Sequence, residues 1–125
     1  MKKLKVLITC LLAVGVLATS SLTSLAATKV EFYLYYTNVI YANSVLSRSK
    51  SIDGTSKKYY GKCTDSYNKG LISFHIPGST DYTLDENQSH IFTRSYSSSG
   101  KMSVTASLVR SSSGAATVEG YIEKK

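Results

Sequence analysis

The chain contains few of the residues that cross-link small domains or give them metal-binding and catalytic groups. It contains no tryptophan, one proline, two cysteines and two histidines among 125 residues. One cysteine, Cys10, lies in an apolar N-terminal run, so the rest of the chain cannot form an internal disulfide. His75, His90 and Cys63 show no metal-ligand spacing. We therefore expect no metal and no cofactor, and a domain held together by its hydrophobic core.

Residues 1–27 have the organisation of a cleaved secretory signal. Three lysines at positions 2, 3 and 5 precede an apolar run from Val6 to Ala18, and the segment ends on the small pair Ala26-Ala27. The run is shorter than the roughly 20 apolar residues of a membrane-spanning helix. We therefore expect a single mature domain over residues 28–125, with no membrane span. The predicted location is extracellular, either free or in loose association with a cell wall.

Acidic residues are also few, which makes the chain basic. The formal net charge is +7, but the leader carries three of the 15 bases. The mature part keeps 12 bases against all eight acids, a net charge of +4. Such a domain is attracted to anionic polymers, yet it lacks the dense basic patch of a nucleic-acid-binding protein. The charge favours a cell-wall polyanion as partner and argues against specific nucleic-acid recognition.

Helical periodicity is absent from the mature part, and apolar residues alternate with polar ones instead. The clearest example begins at Val30, and short alternating segments follow one another to the C-terminus, separated by turn residues. Six to eight strands in 98 residues predict an all-β domain, a small antiparallel sandwich or barrel.

Two local features of this pattern carry specific predictions. The serine/basic segment from Ser44 to Ile52 has much polar surface, which indicates an edge strand. Asp53-Gly54 follows it, a pair that favours a tight hairpin leading into the strand from Ser56 to Thr64. The later turn sequences predict further hairpins between consecutive strands.

Catalytic residues are hard to assemble from this composition. Glu86, His90 and Arg94 are spaced four apart and are residue types that a secreted ribonuclease uses. On a strand, however, His90 and Arg94 would share a face about 13 Å apart, at roughly 3.3 Å per residue. A solvated His–Arg face is the simpler interpretation. We predict that the protein is not an enzyme and has no catalytic residues, with a small secreted hydrolase such as a nuclease as an alternative.

Cys63 is the one cysteine of the mature part. Its surroundings, Gly61-Lys62-Cys63-Thr64-Asp65, do not resemble a nucleophile motif. We predict a buried thiol, and an intermolecular disulfide is the alternative.

Tyrosine is abundant, with ten copies. Tyr33 and Tyr35 alternate with the apolar set that begins at Val30, so they would lie on the outer surface of the first strand. Exposed tyrosines can stack on sugar rings or anchor a protein interface. They can also cover a central strand or pair with a neighbour such as Tyr60. The predicted ligand-binding residues are Tyr33, Tyr35 and Tyr60.

The layout resembles small secreted proteins of Gram-positive bacteria that are bacteriocin-like or associated with exporter genes. The resemblance lies in the leader, in the stretch from Asn43 to Ser51, in Lys57-Lys58-Tyr59-Tyr60 and in Gly120-Tyr121-Ile122. No tryptophan or proline follows Gly120, which departs from that group.

The sequence thus predicts a secreted, non-catalytic binding protein. The expected partner is a polyanion or glycan of the cell envelope, or another protein. A bacteriocin-like effector is the second hypothesis, and it is also the role that the resemblance implies.

Overall fold

The computed structural model of the protein describes residues 26–37, 44–110 and 114–125. Its regular structure over these ranges consists of eight strands, and none of the described residues is helical. No described helix therefore has the length and apolar character to cross a membrane. The strands are β1 (Lys29–Tyr36), β2 (Ser47–Asp53), β3 (Lys58–Tyr67), β4 (Gly70–His75), β5 (Tyr82–Leu84), β6 (Ser89–Thr93), β7 (Lys101–Arg110) and β8 (Ala116–Lys124).

The strands form two four-stranded antiparallel sheets. Sheet A has the order β1-β8-β3-β6, and sheet B has the order β2-β7-β4-β5. Every pairing between neighbours is antiparallel. The predicted all-β fold is confirmed. Because the strands belong to two separate sheets, the architecture is the sandwich.

Most connections cross from one sheet to the other. Of the described strands, only β4 and β5 are both consecutive in the chain and paired with each other, so the other hairpins predicted between consecutive strands are wrong. The predicted hairpin at Asp53-Gly54 is wrong, because β2 belongs to sheet B and β3 to sheet A. Gly54 does not have a positive φ, and its N–H donates to the carbonyl of Gly100 at 2.8 Å. Asp53 instead accepts a hydrogen bond from the Thr55 N–H at 2.9 Å, an Asx turn that redirects the chain.

The core lies between the sheets and is formed by one side of each strand. β1 shows the pattern most clearly, since Val30, Phe32 and Leu34 are buried while Glu31 and Tyr33 are exposed. This alternation is the period-two signal that the sequence carries. The buried apolar side chains of the described residues are Val30, Phe32, Leu34, Ile52, Tyr59, Cys63, Ile72, Phe74, Ile76, Leu84, Phe92, Met102, Val104, Ala106, Ala116, Val118 and Ile122.

Two inward-facing glycines allow the aromatic core residues to approach the main chain. A Cβ on Gly61 would lie 2.8 Å from Cε2 of Phe92 and 3.1 Å from Cδ2 of Phe74. A Cβ on Gly120 would lie 2.6 Å from the Lys62 carbonyl oxygen. The centre of sheet A therefore has no room for a side chain at either position.

β2 is an edge strand, as predicted. Arg48 and Lys50 are in register with buried Ala106 and Val104 of β7, so they lie on the inward side of the strand. Lys50 Nζ is 5.6 Å from the centroid of the Phe32 ring on the facing sheet. Inward-pointing charges on an edge strand oppose pairing with another chain.

Asp53, at the end of β2, joins the two sheets. Its Oδ2 is 3.1 Å from Nζ of Lys124 in β8, and its N–H donates to the carbonyl of Ala27 at 2.8 Å. The hydrogen bonds from Thr55, followed by that from Lys124, lower the pKa of the Asp53 carboxyl to about 2.

Candidate ligand-binding face

The outer surface of sheet A is rich in tyrosine. Tyr33 and Tyr35 lie on the outward side of β1, as their positions in the sequence predicted, and Tyr33 is 49% exposed. The register of the sheet adds tyrosines from the two strands beyond β1. We call this surface the tyrosine face, and its aromatic residues are Tyr33, Tyr35, Tyr60, Tyr67 and Tyr121.

The tyrosine rings form two pairs. Tyr33 and Tyr35 have ring centroids 5.5 Å apart, whereas Tyr60 contacts Tyr121 with a centroid distance of 6.0 Å. All three predicted binding residues thus lie on one surface, but Tyr60 does not pair with the two tyrosines of β1. Sequence reasoning missed Tyr121 as a member of the site. The alternation of Tyr121 with the buried residues of β8 predicts an outward position. The sequence does not show that β8 pairs with β1, because the two strands are far apart in the chain.

Tyr33 and Tyr121 of this face line a cavity of about 360 Å³. Glu31 is the cross-strand partner of Tyr121, and Glu119 is the partner of Tyr33, so tyrosine and glutamate alternate around the opening. The described residues that line the cavity are Glu31, Phe32, Tyr33, Lys50, Thr64, Glu119, Gly120 and Tyr121. The cavity therefore combines aromatic rings with carboxylates, a hydroxyl and one ammonium group.

A bulge in β3 contributes the hydroxyl. The register of β3 on β8 shifts between Cys63 and Asp65, which leaves Thr64 as the extra residue. Bulges redirect side chains and are often found beside functional sites. Here the redirected residue lines the cavity.

Lysines lie over the tyrosine rings of the same face. Lys29 Nζ is 4.3 Å from the centroid of Tyr121 and 3.8 Å from Oε1 of Glu31. Lys125 Nζ is 5.0 Å from the centroid of Tyr60. These are cation–π distances, so the face already holds ammonium groups against its rings.

The outer surface of sheet B has a different chemistry. Hydroxyl side chains pair across the strands: Ser49 Oγ lies 2.7 Å from Thr105 Oγ1, and Ser47 Oγ lies 3.4 Å from Ser107 Oγ. Serine and threonine thus take the positions that tyrosine and glutamate take on sheet A. Neither of these two paired strands, β2 and β7, contains an aromatic residue.

The histidines do not line the cavity. His75 Nδ1 is 2.7 Å from Asp81 Oδ1 in an exposed pair. His90 stacks on Tyr82 with centroids 3.8 Å apart and contacts the edge of Phe92. Each histidine therefore has its own local partners, and Glu86 is exposed in the turn before β6.

The predicted solvated His–Arg face is wrong, because Arg94 is buried and only 3% exposed. Its Nε donates to the Pro77 carbonyl at 2.6 Å, and Nη1 donates to the Gly54 carbonyl at 2.8 Å. Nη2 donates to Ser98 Oγ at 3.1 Å. The strand ends at Thr93, so Arg94 turns into the interior and binds the loops at one end of the sandwich.

Cys63 is a buried free thiol, as predicted. Burial raises the pKa of the thiol to about 11, so at neutral pH it is protonated. Among the described residues, no three His, Cys, Asp or Glu side chains are grouped closely enough to hold a metal ion.

Comparison of the chain with protein-family models, with curated proteins and with solved structures finds no match. The functional argument therefore depends on the geometry of the tyrosine face.

Proposed function

We propose that this is a secreted, non-catalytic binding protein that attaches to a glycan polymer of the cell envelope through the tyrosine face. The observation that carries the proposal is the cavity in which Tyr33 and Tyr121 alternate with Glu31 and Glu119. Aromatic rings pack against the C–H faces of sugar rings, and carboxylates accept hydrogen bonds from sugar hydroxyls. Thr64 adds a donor at the same opening.

The balance of charge on the tyrosine face favours a shaped ligand over a simple polyanion. Glu31 and Glu119 line the cavity together with a single lysine, Lys50. The net charge of +4 brings the domain towards an anionic envelope, whereas the cavity itself is not basic. Attraction to the envelope therefore depends on the net charge of the domain, whereas recognition of the ligand depends on the cavity.

The arrangement of the reactive side chains supports a binding role. The cavity lining includes no histidine and no cysteine, and within the described part of the chain each histidine contacts a local partner instead. The guanidinium of Arg94 donates to loop oxygens in the interior. His90 and Arg94, two of the three residues that sequence reasoning weighed for phosphodiester chemistry, thus make local structural contacts.

Co-sedimentation with purified cell walls tests this function. The mature protein is mixed with walls that retain or lack teichoic acid, at low and at high salt. We expect binding that survives high salt, because stacking and short hydrogen bonds are screened far less than long-range charge attraction. Tyr33→Ala and Tyr121→Ala should each weaken binding about threefold to tenfold.

Tyr82→Ala is the matched control for these variants. Tyr82 is 46% exposed, close to the 49% of Tyr33, but it lies at the far edge of sheet B. Binding that disappears at high salt, or that Tyr82→Ala weakens as much as Tyr33→Ala, would contradict a specific site. A protein that stays in the supernatant at both salt concentrations would remove the envelope as its partner.

A further inference from the structure

We propose that the chemical group recognised in the cavity is a small ammonium group carried by the polymer, and that it binds between Tyr33 and Glu119. This inference rests on the proposed function and specifies its ligand. The cavity contains two Tyr–Glu pairs side by side, Glu31 with Tyr121 and Tyr33 with Glu119. A lysine ammonium group lies over the tyrosine ring of the first pair, and no described lysine lies over that of the second.

The first pair holds an ammonium group of the protein itself. Lys29 Nζ is 4.3 Å from the Tyr121 centroid and 3.8 Å from Oε1 of Glu31. A cation over an aromatic ring is attracted to the negative face of the π system, and a nearby carboxylate adds to this attraction. The position of Lys29 thus shows that a tyrosine ring beside a glutamate can hold an ammonium group on this surface.

The second pair has the same two residue types, but no described lysine lies over the Tyr33 ring. Glu119 forms no ion pair with any described residue, and its cross-strand partner Tyr33 is half exposed at the mouth of the cavity. Tyr35 lies 5.5 Å beyond Tyr33 and extends the aromatic wall. An ammonium group from outside would find the same ring and carboxylate at Tyr33 and Glu119 that Lys29 finds at Tyr121 and Glu31.

Lys50 gives the cavity a second, opposite preference. It reaches the lining from β2 of the facing sheet, and in the described part of the chain it forms no ion pair. A phosphate or carboxylate of the same polymer would be complementary to its ammonium group. The ligand class that fits is therefore a polymer carrying both amino and anionic groups.

NMR titration of the mature protein with tetramethylammonium chloride tests the ammonium site directly. Tert-butyl alcohol, which is neutral and of similar shape, serves as the comparison. We expect chemical-shift changes at Tyr33 and Glu119 with the cation but not with the alcohol. Tyr33→Leu and Glu119→Gln should each weaken cation binding by about twofold to fivefold, the range of an exposed cation–π contact.

Lys29→Met provides the sharpest variant, because it removes the internal ammonium group and keeps an unbranched apolar stem. We expect the cation then to shift Tyr121 as well, since the first pair becomes available. Lys101→Met is the control, because Lys101 lies at the start of β7 in sheet B and should change nothing. Equal shifts with the alcohol, or unchanged cation binding in both Tyr33→Leu and Glu119→Gln, would overturn the inference.

Wall binding separates this inference from the function on which it rests. Walls whose amino groups have been acetylated should bind less protein than untreated walls. Undiminished, salt-resistant binding to acetylated walls that Tyr33→Ala still weakens would overturn the ammonium inference and leave the envelope function standing. Cation binding by a protein that no wall retains would support the ammonium site and overturn the envelope function.

Discussion

At the scale of single residues, Arg94 shows how a buried charge can be used without an acidic partner. Its guanidinium forms no ion pair with a described carboxylate. It donates instead to oxygens of three separate loops, at Gly54, Pro77 and Ser98. The ring of Tyr96 lies 4.7 Å from its central carbon and covers it from one side. The charge is thus distributed over carbonyl dipoles, and the loops at this end of the sandwich share one anchor.

Arg94→Met should destabilise the protein strongly. The methionine can fill part of the space, but the carbonyls of Gly54 and Pro77 lose a charged donor inside the protein. We expect the free energy of unfolding to fall by about 3 kcal/mol, measured by urea denaturation followed by circular dichroism. Arg48→Met, on an exposed segment, should change it by less than about 0.5 kcal/mol. Similar losses in both variants would contradict the anchoring role.

Cys63 should be inert in the folded protein. The side chain is fully buried, and burial raises the pKa of its thiol to about 11, so the reactive thiolate is scarce at neutral pH. We expect a thiol reagent such as Ellman's reagent to react only after urea is added, with a rate that follows global unfolding. Rapid labelling of the native protein would show that β3 does not place this residue inward.

At the scale of elements, β2 should act as the strand that keeps the sandwich monomeric. None of the other described strands lies along its outer edge, and Arg48 and Lys50 place charges on the inward side of that edge. Replacing both with valine removes the charges and raises β-propensity. We expect the double variant to self-associate, measured as an increase in mass by light scattering after size-exclusion chromatography.

Lys57→Val combined with Lys101→Val is the control for this experiment. It removes the same number of charges, but from a loop and from the start of β7 rather than from β2. Association of both double variants would point to lost net charge rather than to the exposed edge. A monomeric Arg48/Lys50 variant would contradict the protective role of β2.

The strands themselves were largely predictable from the sequence, whereas the pairing of each strand with its neighbours was not. The alternation in β1 shows which side of the strand is buried, because successive side chains point to opposite faces. The same signal does not say which strand lies alongside. Asp53-Gly54 has the composition of a hairpin turn, but the next strand pairs with β8 and β6 of the other sheet.

The candidate site was likewise predictable within a strand but not between strands. Tyr33 and Tyr35 could be placed on an outer surface from the pattern of their own strand. Glu119 and Tyr121 could not be added, because they reach the site only through pairing of the first and last strands of the domain. Arg94 was misplaced for another reason: it follows the final residue of β6, where the alternation no longer decides which way a side chain points.

At the scale of the whole molecule, the hydrogen bonds that the Asp53 carboxylate accepts from Thr55, and then from Lys124, make the stability of the protein depend on pH. The pKa of the Asp53 carboxyl in the folded protein is about 2, below its usual value of 3.8, so folding favours the ionised form. The resulting stabilisation is fully present above about pH 4 and is lost as the pH falls through 2.

Asp53→Asn isolates this contribution. The amide keeps an oxygen that can accept from the Thr55 N–H but lacks the charge that faces Lys124. We expect its melting temperature to lie below that of the wild type near neutral pH, with a gap that narrows from pH 4 towards pH 2. Thermal unfolding by circular dichroism measures the gap. A gap that stays constant or widens in acid would contradict the assignment.

The hydrogen bond between the Asp53 N–H and the Ala27 carbonyl bears on how the chain is processed. The predicted signal peptide ends at Ala26-Ala27, and its sequence pattern is compatible with cleavage after either alanine. The two products are not equivalent, since a chain that starts at Ala27 retains the acceptor for Asp53 and a chain that starts at Thr28 gives it up. The predicted cleavage site therefore overlaps the folded domain, because Ala27 belongs to the predicted signal pattern and also accepts a hydrogen bond from β2.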